Sequence, residues 1–505
     1  MTVDPLVLSV DASTTAAKAT CWTPDGRAVS EGRAPIPLLN PEPGGYEQDA
    51  AVWWSATVEA IRQALGPVDA ARLAAMCVTH QRETVVLTDA ALEPIRPALV
   101  WMDDRCRPQV AEAEARLGAE RLHQLSGKPP CTTPSLYKLL GLKARDPEAF
   151  AAAPRVLDVH GFLVGRLVGE ARTSPACADP MGLIDMRTQR WSPELMALLG
   201  VSEAQLAPLS PVGAVIGEVS AEAAEACGLP AGLPVVAGAG DGQCAGLGAG
   251  IDAPGRAYLN LGTAIVSGVV SERYLLDRAF RTLLAAVPGR YMLETDLKGG
   301  TFTLTWMVER LLGRPGEVSA TLKELEPAAT ALPPGADGLM LVPYWNGVMN
   351  PHWDDDATGA VVGWHGGHTA AHLFRAVLEG IAFEQRLHTE GVEAAAGPIE
   401  EFVVMGGGSR SDLWCQILAD VTGKPIVRAG TVEATSLGAA MLAAAGAGVH
   451  ADLSAAVAAM SGASGARFLP GPGAPRYDRL YREVYVDLYP GLAGPLRRLM
   501  ALTRG

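Results

Sequence analysis

The chain has no run of ~18 or more strongly apolar, uncharged residues, so a membrane-spanning helix is not expected. Residues 434–449 are apolar only through Ala and Gly and read as a buried helix. Cysteine is unpatterned: its eight copies include no CxxC pair. That argues against zinc and against a disulfide framework, and it suits a reduced, cytoplasmic protein. Cations are outnumbered, with 41 Lys and Arg against 55 Asp and Glu and a formal net charge of −14. The balance argues against a nucleic-acid partner or an anionic membrane surface, although a local pocket of backbone N–H groups and one or two cations still holds phosphate. No cationic start, apolar run and cleavage site opens the chain. It enters a strand too early for a DNA-binding helix-turn-helix to come first. His80, His352, His365, His368 and His372 lack carboxylate or Cys partners at metal-site spacing, so solvated histidines are expected. Low-complexity tails and a long C-terminal peptide-binding domain are also missing.

What is present is bulk and a repeat. At 505 residues, with 49% hydrophobic and 19% charged residues, the chain is globular and too long for one core, which suits two large domains. LVLSVDASTTAAK at residues 6–18 and AYLNLGTAIVSG at residues 257–268 share one plan. Each is an apolar strand, a tight turn of small hydroxyl residues and a return strand. Such a turn offers backbone N–H groups and short hydroxyls to an anion without obstruction. Either two related lobes grip one polyphosphate from opposite sides, as in sugar kinases, actin and the heat-shock ATPases, or these are two ordinary hairpins.

Strands are expected at residues 6–10, 28–37, 73–79, 85–88 and 98–102. Helices are expected at residues 51–65 with Asp49 as N-cap, in the stretch leading to Ala149, and at residues 156–167. A buried strand at residues 234–239 leads into Gly240-Asp241-Gly242-Gln243, and a domain boundary near residue 252 divides 1–252 from 253–505. The second half follows with a helix at 301–312, a strand at 339–343, a helix at 370–396, a strand at 402–405 and a helix at 412–422. The last core helix starts near Glu433. Mixed βα order in two repeated lobes argues an α/β architecture with helices packed on sheets.

Asp11 precedes the first hydroxyl turn. A carboxylate there repels bare phosphate, so either a water-held Mg²⁺ intervenes or Asp11 caps a turn. Thr14, Thr15 and Lys18 follow within reach of a terminal phosphate. Gly406-Gly407-Gly408 at a strand-to-helix junction lets backbone approach a flat ligand or a phosphate, or is a flexible turn. Asp241 is the sharpest single residue, a lone carboxylate among Gly and Ala after a buried strand. Burial makes an idle carboxylate costly. A base that accepts a hydroxyl proton in phosphoryl transfer needs only such a positioned Asp; the other reading is a helix N-cap. Arg82 and Glu83 set donor beside acceptor, as a polyhydroxyl substrate requires, or form a surface ion pair. Trp101 covers the carbon face of a sugar, or belongs to the core.

These residues resemble the FGGY carbohydrate kinases, the family of glycerol kinase, xylulokinase and ribulokinase, over nearly the whole chain and in order. GAVVG at residues 359–363 followed by HLFRAVLE at 372–379 is similar to the family's C-terminal signature. Residues 133–142, with Lys138, match the N-terminal signature more weakly. Gln81-Arg82-Glu83-Thr84 and Asn350-Pro351-His352-Trp353-Asp354 look like the glycerol kinase branch. The resemblance implies an α/β, two-domain actin-like ATPase (ribonuclease H-like) fold. A cleft between its duplicated lobes would close over Mg·ATP and a small sugar or polyol, and a homodimer is implied as well. Asp241 matches the family's catalytic base, and Arg82, Glu83, Trp101, Asp241 and Gln243 match substrate contacts. Thr14, Thr15 and Lys18 match the first phosphate hairpin, Gly262 and Thr263 the second. Gly407 and Ser411 match the adenosine side, and Asp11 the magnesium-associated aspartate.

There are departures from the pattern. Ser13 replaces a Gly in the first turn, Gly141 a Trp, Trp364 an aliphatic residue, and Thr133 a Tyr that contacts glycerol. Gly242 is inserted between Asp241 and Gln243. The last two turn the expectation from glycerol towards a larger polyol or a ketose, phosphorylated on a primary hydroxyl. Glycerol kinase is the alternative within the family. A non-catalytic actin-like ATP-binding module is the alternative of another class, and a sugar-responsive repressor on the same fold is disfavoured by charge.

Overall fold

The computed structural model describes residues 4–345, 347–462 and 465–504. Two sheets organise it. In the first, the spatial order is Ala28–Pro35, Ala16–Trp22, Leu6–Ala12, Leu73–His80, Pro234–Val236, Val215–Glu218. The first three strands are antiparallel, the next two run parallel to Leu6–Ala12, and the edge strand is antiparallel again. The second sheet repeats that order with Tyr291–Leu297, Ile265–Ser271, Arg256–Leu261, Glu401–Met405, Ile426–Arg428 and Arg467–Phe468. It adds Arg281–Leu284 outside Tyr291–Leu297. Leu6–Ala12 is buried on both faces, which is why it reads as an almost unbroken apolar run. One strand order used twice is the duplicated actin-like ATPase architecture.

In each lobe an inner parallel strand feeds a helix at the lobe junction. Helix Asp241–Gly248 follows Pro234–Val236, and helix Ala434–Gly446 follows Ile426–Arg428. The two helices press together where glycine removes the side chain. A Cβ on Gly248 would stand 1.9 Å from the Ala434 carbonyl oxygen, and one on Gly438 2.0 Å from that of Cys244. Neither carbonyl can yield without shifting a helix. Helix Ala434–Gly446 buries Leu437 and Met441 in one cluster with Val7, Ala75 and Cys77 of the first sheet. Helix Asp241–Gly248 straddles the junction, with Cys244 and Leu247 in that cluster and Ala245 beside Tyr258 and Met292 of the second sheet. The second half of the chain therefore lends a helix to the first sheet.

Several expected elements are corrected. Residues 156–167 are not one helix: Arg155–Asp158 is a strand paired with Val85–Thr88, and helix Val159–Val168 starts after it. Asp158 makes the break, its carboxylate accepting from Gly161 N at 2.5 Å. Of residues 98–102 only Ala98–Leu99 is strand, and the chain turns at Trp101. The helix expected at 301–312 is Thr301–Trp306 followed by a π-helical turn, Met307–Leu311. The helix after Glu433 is not the last to build core. Tyr477, Tyr481, Tyr485 and Tyr489, one face of the C-terminal helical run, are buried in the second lobe. His80 is buried rather than solvated, its Nδ1 2.8 Å from the Gln81 carbonyl. No described helix is long and apolar enough to cross a membrane. All eight cysteines are free thiols, and all but Cys131 are buried.

Candidate active site

The first hairpin turns at Ser13, whose N–H and hydroxyl both donate to the Ala16 carbonyl at 3.0 and 2.9 Å. Thr14 is held from two sides. Trp101 Nε1 donates to its hydroxyl at 2.9 Å, and Gln48 Nε2 to its carbonyl at 2.5 Å. Thr15 points to solvent. Lys18 Nζ reaches across the junction to Glu433 Oε2 at 2.7 Å. Trp101 therefore borders the hairpin, partly exposed, and is not core.

Asp241 is the first residue of its helix. The N-cap is Gly240, and no side chain caps it, so the N-cap reading of Asp241 does not hold. Its side chain is 38% exposed and lies 2.9 Å from Arg82 Nε; Gly242 N–H donates to Oδ1 at 2.7 Å. Asp11 is its acidic neighbour. Burial, then the charge of Asp241, raises the Asp11 carboxyl to about 7, with Lys18 opposing and Glu433 adding to the rise. Its Oδ1 is buried and has no hydrogen-bond partner among the described residues. Asp11 thus feels two other acids, Asp241 and Glu433, and a single lysine. Among the described residues no three His, Cys, Asp or Glu are grouped to hold a metal. The orphaned Asp11 oxygen fits the single carboxylate that would hold a Mg²⁺ ion.

Arg82 and Glu83 do not pair with each other. Arg82 Nη1 donates to Glu294 Oε2 at 2.9 Å, Arg281 Nε to Glu294 Oε1 at 2.8 Å, and Arg281 Nη1 to Glu83 Oε1 at 2.9 Å. The Tyr258 hydroxyl donates to Glu294 at 2.8 Å. Burial pushes the Glu294 carboxyl up, but the two guanidiniums overrule it and hold it down to about 2. The network crosses the cleft, since Arg281 and Glu294 stand on second-lobe strands. Glu83 sits at φ 55, backbone a non-glycine residue rarely adopts. The turn holds that backbone without Gly, Asn or Asp because Glu83 is fixed by its buried ion pair with Arg281. The extra glycine has a reason too: a Cβ on Gly242 would stand 2.8 Å from Arg82 Nη2 and 2.9 Å from Glu294 Oε2. Gln243 is fully buried, with its amide donating to the Ala176 and Leu284 carbonyls at 3.0 and 3.3 Å. It reaches the site only through Arg82, whose Nη1 lies 3.5 Å from its Oε1.

On the second lobe, Gly262 and Thr263 form the matching turn, propped by Thr301 N–H on the Gly262 carbonyl at 2.9 Å and open to solvent at Thr263. Gly406 and Gly408 pack tightly: a Cβ on either would stand 2.4 Å from Asn260 Oδ1 or from the Trp414 ring. A Cβ on Gly407 would meet nothing within 4 Å, so backbone is presented to the cleft there. Ser411 caps helix Asp412–Thr422, accepting from Trp414 N at 3.2 Å and donating to Glu326 at 2.5 Å. A cavity of about 410 Å³ lined in part by Arg256, Arg428 and Ser461 contains none of these residues.

The N-terminal domain pattern of the FGGY family of carbohydrate kinases matches residues 6–248, and the C-terminal pattern matches residues 257–447. The chain belongs to this family. It is 33% identical to the glycerol kinase of Bordetella parapertussis over 466 residues, covering 88% of this chain and 89% of that enzyme. It is 31% identical to the xylulose kinase of Klebsiella pneumoniae over 445 residues, covering 87% and 89%. The crystal structure of xylulose kinase from Rhodospirillum rubrum superposes with a TM-score of 0.88 at 30% identity, covering 97% of this chain and 99% of that one. This FGGY kinase is accordingly a carbohydrate phosphotransferase with ATP as donor.

Sequence reasoning missed Glu433, Glu294 and Arg281 of this FGGY kinase. A signal existed for Glu433, which precedes Gly438 by the spacing that separates Asp241 from Gly246. Glu294 and Arg281 stood out only as charges inside apolar strands.

Proposed function

We propose that this kinase transfers the γ-phosphoryl of ATP to a primary hydroxyl of a small ketose or polyol, with Asp241 as the base. The observation that carries the reading is the position of Asp241, a half-open carboxylate at the lobe junction, faced by Arg82 and by the orphaned Asp11. The phosphates lie between Thr14, Thr15 and Lys18 on one side and Gly262 and Thr263 on the other. The nucleoside lies over Gly407, while Ser411 shapes that wall as a helix cap. Asp11 would hold a Mg²⁺ ion, with Glu433 near. When bound, the ion offsets charge on the transferring phosphoryl group. Arg82 orients Asp241 and donates to a substrate hydroxyl, Glu83 accepts from one, and Trp101 walls the pocket beside the hairpin. Gln243 positions Arg82. Asp241 takes the hydroxyl proton late in a loose transition state. Closure of the lobes excludes water and suppresses ATP hydrolysis. The lobes divide near residue 252, and use of ATP suits an enzyme of the cytoplasm.

ADP release with Mg·ATP against glycerol, erythritol, xylitol, ribitol and the D- and L-forms of xylulose and ribulose tests the reading. A strong responder in the wild type that is lost in Asp241→Asn supports it. No ADP above the ATP-alone background with every compound overturns it.

A further inference from the structure

The strand Tyr291–Leu297 sends Met292, Glu294 and Asp296 to one face. Helix Asp241–Gly248 covers the first two. A Cβ on Gly246 would stand 3.2 Å from the Met292 side chain, and one on Gly242 2.9 Å from Glu294. The helix runs opposite to the strand, so its covered positions go from Gly246 back to Gly242. The next step reaches Asp296 just where the helix has ended at Asp241. Asp296 therefore lies past the start of the helix, with 15% of its side chain exposed.

Its polar surroundings are incomplete. Oδ1 is buried with no hydrogen-bond partner among the described residues, and Oδ2 is 3.9 Å from Arg281 Nη2, too far for a hydrogen bond. Lys298, next on this face, is paired with Asp355 at 3.2 Å. Asn350, fully buried, accepts from Asp296 N–H at 3.0 Å through Oδ1, and its Nδ2 donor has no partner among the described residues. The unmet acceptor belongs to Asp296 and the unmet donor to the Asn350 bonded to its backbone, and a hydroxyl group, which donates and accepts at once, is the group that satisfies both. Leaving both buried and empty costs more than filling them. Burial also pushes the Asp296 carboxyl up, against the pull of Arg281.

We propose that Asp296, with Asn350 beside it, binds a hydroxyl of the substrate remote from the reacting end, which selects four- and five-carbon polyols or ketoses over glycerol. The inference rests on the kinase reading of the cleft. Arg82 already joins Asp241 to Glu294, and Asp296 lies one strand repeat, about 7 Å, past Glu294. A three-carbon chain with one end at Asp241 is used up at Arg82 and Glu83. A longer chain extends to Asp296.

The test is calorimetric binding of erythritol, xylitol, ribitol, xylulose, ribulose and glycerol to the wild type, Asp296→Ala and Asp296→Asn. A non-hydrolysable ATP analogue is present, and thermal unfolding serves as the check on folding. The expected result is that at least one longer compound binds the wild type. Its affinity relative to glycerol falls at least about tenfold in Asp296→Ala and is partly restored in Asp296→Asn. An equal loss for glycerol and the longer compounds would mean that Asp296 merely supports Arg281, and it overturns the proposal. So does unchanged binding, or a wild type that binds nothing longer than glycerol. ADP release is scored separately. If the longer compounds bind through Asp296 but none is phosphorylated, the kinase reading fails and the binding site stands.

Discussion

The two copies of the strand-to-helix junction carry different carboxylates. In the first lobe Asp241 is exposed to the cleft and faces a buried arginine. In the second lobe Glu433 is engaged by Lys18 from the opposite hairpin. The surrounding charge differs as well. Arg82 ends in a buried network with Glu294, Arg281 and Glu83, while the Lys18 pair is partly open to water. A duplicated frame supplies two equivalent positions for an acid, and the cation each one meets sets them apart: Arg82 of its own lobe for Asp241, Lys18 of the other lobe for Glu433.

The largest expected effect separates the two acids. Asp241→Ala lowers kcat by roughly 10²–10⁴ with nucleotide affinity retained, whereas Glu433→Ala changes kcat by less than about tenfold. Steady-state ADP release with a nucleotide titration measures both, and equal losses in kcat would erase the distinction. Next come the two cross-lobe pairs. Arg82→Ala leaves Glu294 buried and half-paired and destabilises by about 3–5 kcal/mol. Lys18→Ala, in a partly exposed pair, costs at most about 1 kcal/mol. Denaturant titration ranks them, and similar values would mean that burial is not what separates the pairs.

A third contrast uses glycine. Gly438→Ala, at the helix crossing, costs about 1–3 kcal/mol, while Gly407→Ala leaves the stability of the nucleotide-free protein unchanged because open space lies in front of it. Thermal unfolding decides, and a destabilised Gly407→Ala would remove the argument for an open nucleotide wall. The smallest effect is in pH. Asp11 has a raised carboxyl, at about 7, so the native state binds a proton that the unfolded chain has released. Its contribution to the stability of the nucleotide-free protein is present below the ordinary carboxylate range and is lost as pH rises to about 7. Cation binding needs the ionised form, so Mg·ATP affinity rises about tenfold from pH 6 to pH 8. Asp11→Asn flattens both profiles, and an unaltered slope in that variant would acquit Asp11.

Much of the frame was legible in the sequence. The hairpins, the Asp49-capped helix, helix Ala370–Ala396 and the Gly406–Gly408 junction follow from local periodicity, caps and turn chemistry, which neighbouring residues dictate. The errors fell where a distant partner overrides local preference. Residues 156–158 pair as a strand with Val85–Thr88 although their apolar run suits a helix. Gln243 matches a substrate contact by resemblance, while in the fold its amide is bonded to two carbonyls. Arg82-Glu83 reads as donor beside acceptor for a polyhydroxyl substrate or as a surface ion pair, and the pair reading fails because each side chain binds a partner on the other lobe.

By itself the sequence determined that the chain folds as two α/β lobes with paired hydroxyl turns and a lone Asp at their junction. Those features rest on short-range patterns of apolar, glycine and hydroxyl residues. Only the tertiary structure decided which charges meet. Arg82 and Glu294 are 212 residues apart in the chain, and Asp296 and Arg82 enter one cleft only after a helix start and a strand from different lobes come together. The energy of a buried charge depends on its neighbours in space, and no local pattern encodes them.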